Sequence, residues 1–244
     1  MRYFITGDIH GQFAPLFNFN QKESPSKDDI LIILGDGGFN YYGDSRDRKL
    51  KEKCKNDLPF TIFTIHGNHE MNPEYMDACN EKEWNGGIVF YEEAYPNLLY
   101  AKDGEIYHIG DKDVCILGGA YSVDKEYRLL RGWRWFSDEQ MSDDVKQRCL
   151  DNLEKHNWKV DYVFSHTVPF SCEPVEFFLP YIDQSTVDKS TELFLEDIKQ
   201  RLTYEKWFAG HYHCDIEKPE NVFIMYKEVI PLIVEKDMER NLIE

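Results

Sequence analysis

The sequence predicts a mixed α/β fold with two β-sheets, and three observations carry that expectation. Short β-rich runs recur along the chain, several of them apolar at nearly every residue, as in strands buried on both faces. Stretches with helical periodicity fall between them. The segment from Ile88 to Leu117 differs and reads as hairpins.

In chain order the strand runs are R-Y-F-I-T, D-I-L-I-I-L, F-T-I-F-T-I, D-V-C-I-L, D-Y-V-F-S and K-W-F-A, each closed by Gly, Ser or a polar residue. The hairpin segment breaks at Asp103-Gly104 and Gly110-Asp111. A helix is expected after Ser137, where S-D-E-Q sets Gln140 three residues on as a capping box. Met141, Val145, Cys149 and Leu153 follow at four-residue spacing. A second helix covers Thr191 to Leu202, with Leu193, Ile198 and Leu202 toward one side. The stretches Ser122 to Phe136 and Pro169 to Asp188 read as irregular, and both are long enough to cover a site. No repeat or low-complexity linker divides residues 1–244, so one domain is expected.

Composition narrows the function. With 28 Lys and Arg against 45 Asp and Glu, the formal charge is −17 and no basic stripe stands out, which argues against general duplex-DNA binding. The six cysteines form no C-x-x-C pair and read as reduced thiols rather than a disulfide framework. M-R-Y-F-I-T-G-D is too poor in apolar residues for a signal peptide, and no run reaches membrane-spanning length. A cytoplasmic protein without a membrane partner is the expectation.

Five strand runs end in metal-ligand residue types: I-T-G-D-I-H, I-I-L-G-D, T-I-H-G-N-H-E, V-F-S-H and W-F-A-G-H-Y-H. In four of them Gly7, Gly35, Gly67 and Gly210 stand directly before the first such residue, permitting close backbone approach or an unusual dihedral. Ligand sites in open α/β sheets gather beyond the carboxyl ends of strands. Asp and His together supply anionic oxygen and neutral nitrogen, a set suited to divalent transition metals rather than calcium. Mn is the first choice, with Fe, Zn, Co and Ni as alternatives.

The ordered series D-x-H, G-D, G-N-H, H and G-H-x-H resembles the calcineurin-like metallophosphoesterase superfamily, with motifs running from Asp8 to His213. The resemblance implies a four-layer αββα sandwich, two mixed sheets between helical layers, and a dinuclear metal site at the strand ends. By position, Asp8, His10 and His213 would hold one metal and Asn68, His166 and His211 the other, with Asp36 bridging both. One carboxylate can span ions about 3.5 to 4 Å apart. His211 and His213 are alternate residues, so both metals should lie beyond the end of that strand. Two such cations would make hydroxide available near neutral pH.

His69, beside Asn68, is similar to the family's general acid and would act as the imidazolium. G-D-I-H-G and G-N-H-E resemble the protein serine/threonine phosphatases, whose second motif usually continues G-D-x-x-D-R-G. Here it reads Gly35-Asp36-Gly37-Gly38-Phe39-Asn40, so Phe39 replaces the acidic residue that orients the histidine, and His66 stands where a phosphate-binding Arg is expected. Asn40 and Glu70 are the candidates to orient His69. Arg128, Arg131 and Arg134 offer planar forks for phosphate oxygens, Arg128 being preferred, and Tyr121, Trp133 and Trp135 could stack on a ring. The phrase G-G-A-Y-S followed by Asp124 and Arg128 also resembles small bacterial and phage-type members.

The leading expectation is a dinuclear-metal phosphohydrolase of phosphomonoesters, with protein phosphoserine and phosphothreonine among the candidate substrates. The enzymatic alternative is a phosphodiesterase on a nucleotide or nucleic-acid-derived diester. A non-catalytic, metal-stabilised scaffold is the alternative of another class, and it sits poorly with a complete ligand set plus His69. Phe177, Phe178, Leu179 and Tyr181 would form any exposed apolar patch for a second subunit.

Overall fold

A computed structural model describes residues 1–232. The first sheet draws on β1 (Tyr3–Thr6), β2 (Ile30–Ile33), β3 (Thr61–Thr64), β4 (Asn80–Trp84), β5 (Gly87–Tyr91) and β6 (Leu98–Ala101). The second draws on β7 (Ile106–Ile109), β8 (Lys112–Leu117), β9 (Tyr162–Ser165), β10 (Lys206–Ala209), β11 (Ile216–Lys218) and β12 (Val222–Ile224). The last strand, β13 (Ile230–Leu232), returns to the first sheet, antiparallel to β1. The orders are β13-β1-β2-β3-β6-β5-β4 and β11-β12-β10-β9-β8-β7, both mixed.

Strand alternation makes the layers. Ile5, Ile32 and Phe63 turn inward and meet Ile116, Phe164 and Phe208 of the second sheet in one buried cluster. Phe4, Leu31, Ile33 and Ile62 turn outward beneath Leu16 and Phe19 of α1 (Ala14–Glu23) and Cys54 of α2 (Ser45–Asp57). On the far side, Cys115, Leu117, Val163 and Trp207 pack under α4 (Asp143–Lys155) and α5 (Ser190–Arg201). Both faces of each central strand are therefore covered, as their unbroken apolar runs require, and the four-layer order is helix, sheet, sheet, helix. Each such large side chain contributes about 1.5–3 kcal/mol on burial.

Register places the site. Thr6 pairs with Ile33 and Ile33 with Thr64, all parallel, so the first three strands end at one level. Ser165 pairs with Leu117 and with Ala209 in the other sheet. The loops after these six strands thus leave the sandwich along one rim.

Several local expectations change. Helix α4 begins at Ser142, whose hydroxyl accepts from Val145 N at 3.3 Å, not at Ser137, because Asp138 to Met141 are used as a loop. Gln140 instead binds Asp188, Ser190 and Thr191 and ties this loop to the start of α5. Met141, Val145, Cys149 and Leu153 are all buried as expected. In α5 the buried residue is Leu195, while Leu193 lies half exposed, since the stripe follows 195, 198 and 202. Gly110-Asp111 does turn the β7–β8 hairpin, but Asp103-Gly104 carries the chain from one sheet to the other. Asn85-Gly86, both at positive φ, turn the β4–β5 hairpin, a signal that the sequence reading passed over. The Ser122–Phe136 segment is not wholly irregular, for it contains α3 (Lys125–Arg131), stopped at Gly132 in the left-handed region. All six cysteines are free thiols. Among the described residues no helix is long and apolar enough to cross a membrane.

Candidate metal centre and active site

The seven residues expected to hold metals converge on the common rim. Asp8, His10 and His213 form one cluster: His213 Nε2 and His10 Nε2 lie 3.2 and 3.5 Å from Asp8 Oδ2 and 2.7 Å from each other. Asn68, His166 and His211 form the other, with Asn68 Oδ1 2.8 Å from His166 Nε2 and 3.2 Å from His211 Nδ1. Asp36 touches both, its Oδ2 3.6 Å from His10 Nδ1 and its Oδ1 3.8 Å from His166 Nε2. Both His211 and His213 lie beyond the end of β10.

The backbone is strained here. His10, Asp36, His211 and His213 all adopt positive φ, between 45° and 67°, where non-glycine residues are uncommon. Left-handed backbone at both 211 and 213 breaks the strand alternation, so the two imidazoles reach different clusters. The glycines act mainly by leaving room. A Cβ on Gly67 would stand 2.1 Å from Asp36 Oδ1, and one on Gly210 would stand 2.3 Å from Asp8 Oδ1.

Electrostatics hold Asp8, Asp36 and His211 in ligand form, whereas at His10 burial is outweighed by the Asp8 and Asp36 carboxylates and the imidazole is raised to about 9. Burial alone would neutralise Asp8, but the imidazoles of His10 and His213 hold it well below the usual carboxylate range. Burial likewise opposes charge on Asp36, and His69 and His166 outweigh it. Burial pushes His211 down to about 3, which leaves a neutral imidazole.

Whether these residues suit a cation can be judged from their lone pairs. His166 must give its Nδ1–H to the Leu34 carbonyl at 2.8 Å, leaving Nε2 as a lone pair against Asn68 Oδ1. The Asn68 amide nitrogen is already committed to Ser122 Oγ at 2.8 Å. Two acceptors therefore face one another with no proton between them, unless the fully buried His166 carries a charge. Asp8 Oδ2 is also buried and meets no well-aligned donor, although the His213 and His10 imidazoles lie 3.2 and 3.5 Å away. A cation relieves both conflicts, and the donor set fits divalent transition metals. Three groups of His and Asp side chains bring their ligand atoms within 4.8 Å of one another: Asp8, His10 and His213; Asp8, Asp36 and His166; and His10, Asp36 and His69. The last shows that His69 also has the reach of a ligand.

Ser122 and Asp124 were not singled out from the sequence as site residues. Ser122 is buried, and its own N–H donates to Glu139 Oε1 at 3.1 Å, so the hydroxyl that aims Asn68 is itself fixed. Ser122→Ala should weaken metal affinity by roughly 10- to 100-fold, the usual effect of losing a partner that orients a ligand. Titration with Mn²⁺ while the melting temperature is followed checks this; unchanged affinity would remove the orienting role.

His69 is oriented by neither Asn40 nor Glu70. Asn40 is buried beside Tyr100, 3.4 Å from its hydroxyl, and Glu70 accepts from Gly38 N and Gly67 N, tying two site loops together. The partner is Asp124, with Oδ1 3.6 Å from His69 Nε2, while Arg128 Nη2 lies 3.0 Å from His69 Nδ1. Arg128 also holds both Asp124 oxygens through Nε at 2.8 Å. Burial would raise the Asp124 carboxyl, but His69 and Arg128 bring it well below the ordinary range. Because guanidinium only donates, His69 Nδ1 accepts here and the ring proton sits on Nε2. The signal for Asp124 was its place four residues before Arg128, a helical ion-pair spacing.

Of the three arginines, Arg128 and Arg134 line a cavity of about 840 Å³ that also contains His10, His69, Arg46, Tyr42 and Trp133. Arg134 donates to the Tyr42 carbonyl. Arg131 does not line it: it is the exposed last residue of α3, one turn beyond Arg128, and its Nε donates to the Tyr127 hydroxyl at 3.1 Å. Phe39 is fully buried and packs against Phe13, and His66 is buried beside Asp103 at 3.5 Å, so neither can replace a phosphate clamp. Trp133 borders the large cavity, Tyr121 borders a second one, and Trp135 lies under Lys125. In the Pro169 to Asp188 stretch, Phe177, Leu179 and Tyr181 are exposed, but Phe178 turns inward onto Tyr212 and is not part of that patch.

The family profile described as Calcineurin-like phosphoesterase matches residues 1–215. No curated protein matches the chain. Among solved structures, TT1561 of Thermus thermophilus is similar over 95% of this chain and 98% of that one, with a TM-score of 0.51 and 10% identity, a likeness of fold alone. Phosphopantetheinyl hydrolase from Mycobacterium tuberculosis is 13% identical over 92% of this chain and 88% of its own, at a TM-score of 0.40.

Proposed function

From a chain that belongs to the calcineurin-like phosphoesterase family and is a metal-dependent phosphoesterase, we propose a dinuclear hydrolase of phosphomonoesters. The observation that carries the dinuclear reading is the pair of donor clusters meeting at Asp36. Asp8, His10 and His213 would hold one cation, Asn68, His166 and His211 the other, and Asp36 both. When bound, such ions supply Lewis acidity toward phosphate and a nucleophile near neutral pH.

The chain's own groups do the rest. Arg128 spends Nε on Asp124, while Nη1 reaches the Tyr41 hydroxyl at 3.4 Å and the Arg134 carbonyl at 3.5 Å and Nη2 reaches His69 Nδ1 at 3.0 Å, so a phosphate would take this fork by displacing the long contacts of Nη1 and that of Nη2. A phosphate that draws Arg128 off His69 Nδ1 frees that nitrogen to take a proton. His69 then passes a proton to the leaving oxygen, and Asp124 steadies the charged ring.

A phosphodiester substrate is the second reading. It is favoured by the large cavity beyond His69, whose Arg46, Arg128, Arg134 and Trp133 leave room for a second ester substituent. The test of both is one paired assay of protein stripped by chelator and restored with Mn²⁺, on nitrophenyl phosphate and bis-nitrophenyl phosphate. Metal-restored hydrolysis faster on the monoester is expected; a faster diester reaction would replace the leading reading with the second. No hydrolysis after restoring Mn²⁺, Zn²⁺, Fe²⁺, Co²⁺ or Ni²⁺, with metal demonstrably bound, would overturn both.

A further inference from the structure

On the opposite side of His69 from the arginines lies a smaller cavity of about 400 Å³. One wall is the rim itself, with Asn68, His69 and His211. The other is the segment 177–189 together with Tyr121 and Tyr212. Its size is that of a pocket for one small organic group.

The surfaces are mostly apolar and flat. Phe178 and Tyr212 stack with rings 16° from parallel and centroids 6.1 Å apart, and Leu179, Ile182 and Val187 close the wall. Polar side chains interrupt them at Asp124, Gln184, Lys189 and Glu192. Glu192, in the first turn of α5 and 3% exposed, borders the cavity; its Oε1 accepts from Thr167 Oγ1 at 2.9 Å, while its buried Oε2 has no partner. Lys189, which also borders the cavity, does not fill that vacant acceptor, because its ammonium is held by Glu173 Oε1 at 2.6 Å. The Tyr212 hydroxyl is likewise engaged, 3.1 Å from Thr167 Oγ1 and 3.4 Å from Glu173 Oε1.

A buried acceptor without a donor is unusual in folded proteins, and here it discriminates among ligands. An alkyl chain or a phenyl ring would satisfy the walls and leave Glu192 Oε2 unpaired. A sugar could pair with Glu192 and Gln184 but would offer no flat face to the stacked Phe178 and Tyr212. A nucleobase meets both demands, with a flat face for the aromatic wall and ring or amino N–H groups at its edge. Because the same cavity opens on Asn68 and His211, a base seated there carries its phosphate to the metal ligands.

We propose, on the strength of the phosphomonoesterase reading above, that this cavity is the base subsite of a nucleoside monophosphate substrate, with Glu192 Oε2 accepting from the base.

The test is a calorimetric titration of the full, metal-loaded chain with adenosine, guanosine, cytidine and uridine, which hold no phosphoester and report binding alone. At least one nucleoside is expected to bind at least about ten-fold more tightly than phenol or ribose. Glu192→Leu should abolish that preference, and Phe178→Ala, at a half-buried position that tolerates truncation, should weaken nucleoside binding if the first variant does not fold. Absence of nucleoside binding, or phenol binding as tightly, would overturn the subsite even where nitrophenyl phosphate is hydrolysed. Nucleoside binding without hydrolysis of any phosphoester would leave the subsite standing and remove the phosphomonoesterase reading.

Discussion

Asp36→Asn is expected to lower bound metal and hydrolysis together, the latter by more than about 100-fold, beyond the usual effect of losing a group that merely orients a ligand. Asn keeps the volume, so the packing of Gly67 against this side chain survives. What is lost is the charge and one anionic oxygen. Asp36 is the residue within 4 Å of imidazoles from both clusters, and its Oδ1 also accepts from His69 N at 2.8 Å. Metal analysis of the purified variant beside wild type, with initial rates on nitrophenyl phosphate, checks the expectation. A variant that keeps its metal content and loses only rate would show that Asp36 does not bridge.

His69→Asn should do the opposite to metal and the same to rate. Both metals should remain, while turnover falls by roughly 10²- to 10⁴-fold, the range for losing a positioned proton donor. The fall should be steepest for alkyl phosphates, whose leaving oxygen needs the proton most, and shallow for nitrophenyl phosphate. The structure sharpens this test, because His69 Nδ1 lies 3.5 Å from Asp36 Oδ2 and the imidazole has the reach of a ligand. Loss of a metal in His69→Asn would therefore move His69 into the coordination sphere. An equal loss of rate for good and poor leaving groups would deny it the proton transfer.

Motif residues were legible because each follows a strand whose apolar run announces its own end. Asp8, Asp36, Asn68, His166 and His211 all come shortly after such runs, and parallel register carries them to one rim. What surrounds them was not legible. Asp124 reaches His69 from a segment more than fifty residues on, and Ser122 aims Asn68 from the same segment. Nothing in the local pattern of either reveals a partner so distant. The family pattern places an orienting acid at the position of Phe39, the candidates Asn40 and Glu70 lie in the motifs themselves, and in the fold the carboxylate beside His69 Nε2 is Asp124. Arg131 had the right side chain but sits one turn beyond Arg128 at the exposed end of α3, where it meets Tyr127 instead of the cavity.

Taken alone, then, the sequence carried a two-sheet α/β fold and a series of ligand-type residues at strand ends, and its resemblance to a known family implied the four layers and the expected donor set. Continuous apolar runs suit strands covered on both faces, and Asp and His at the ends of such strands gather where those ends meet. Tertiary structure decided which lone pairs face one another, which arginine reaches His69, and which carboxylate is left unpaired beside the apolar cavity. Those outcomes depend on side-chain direction across long sequence separations, and a hydrogen bond is won or lost over a few tenths of an ångström.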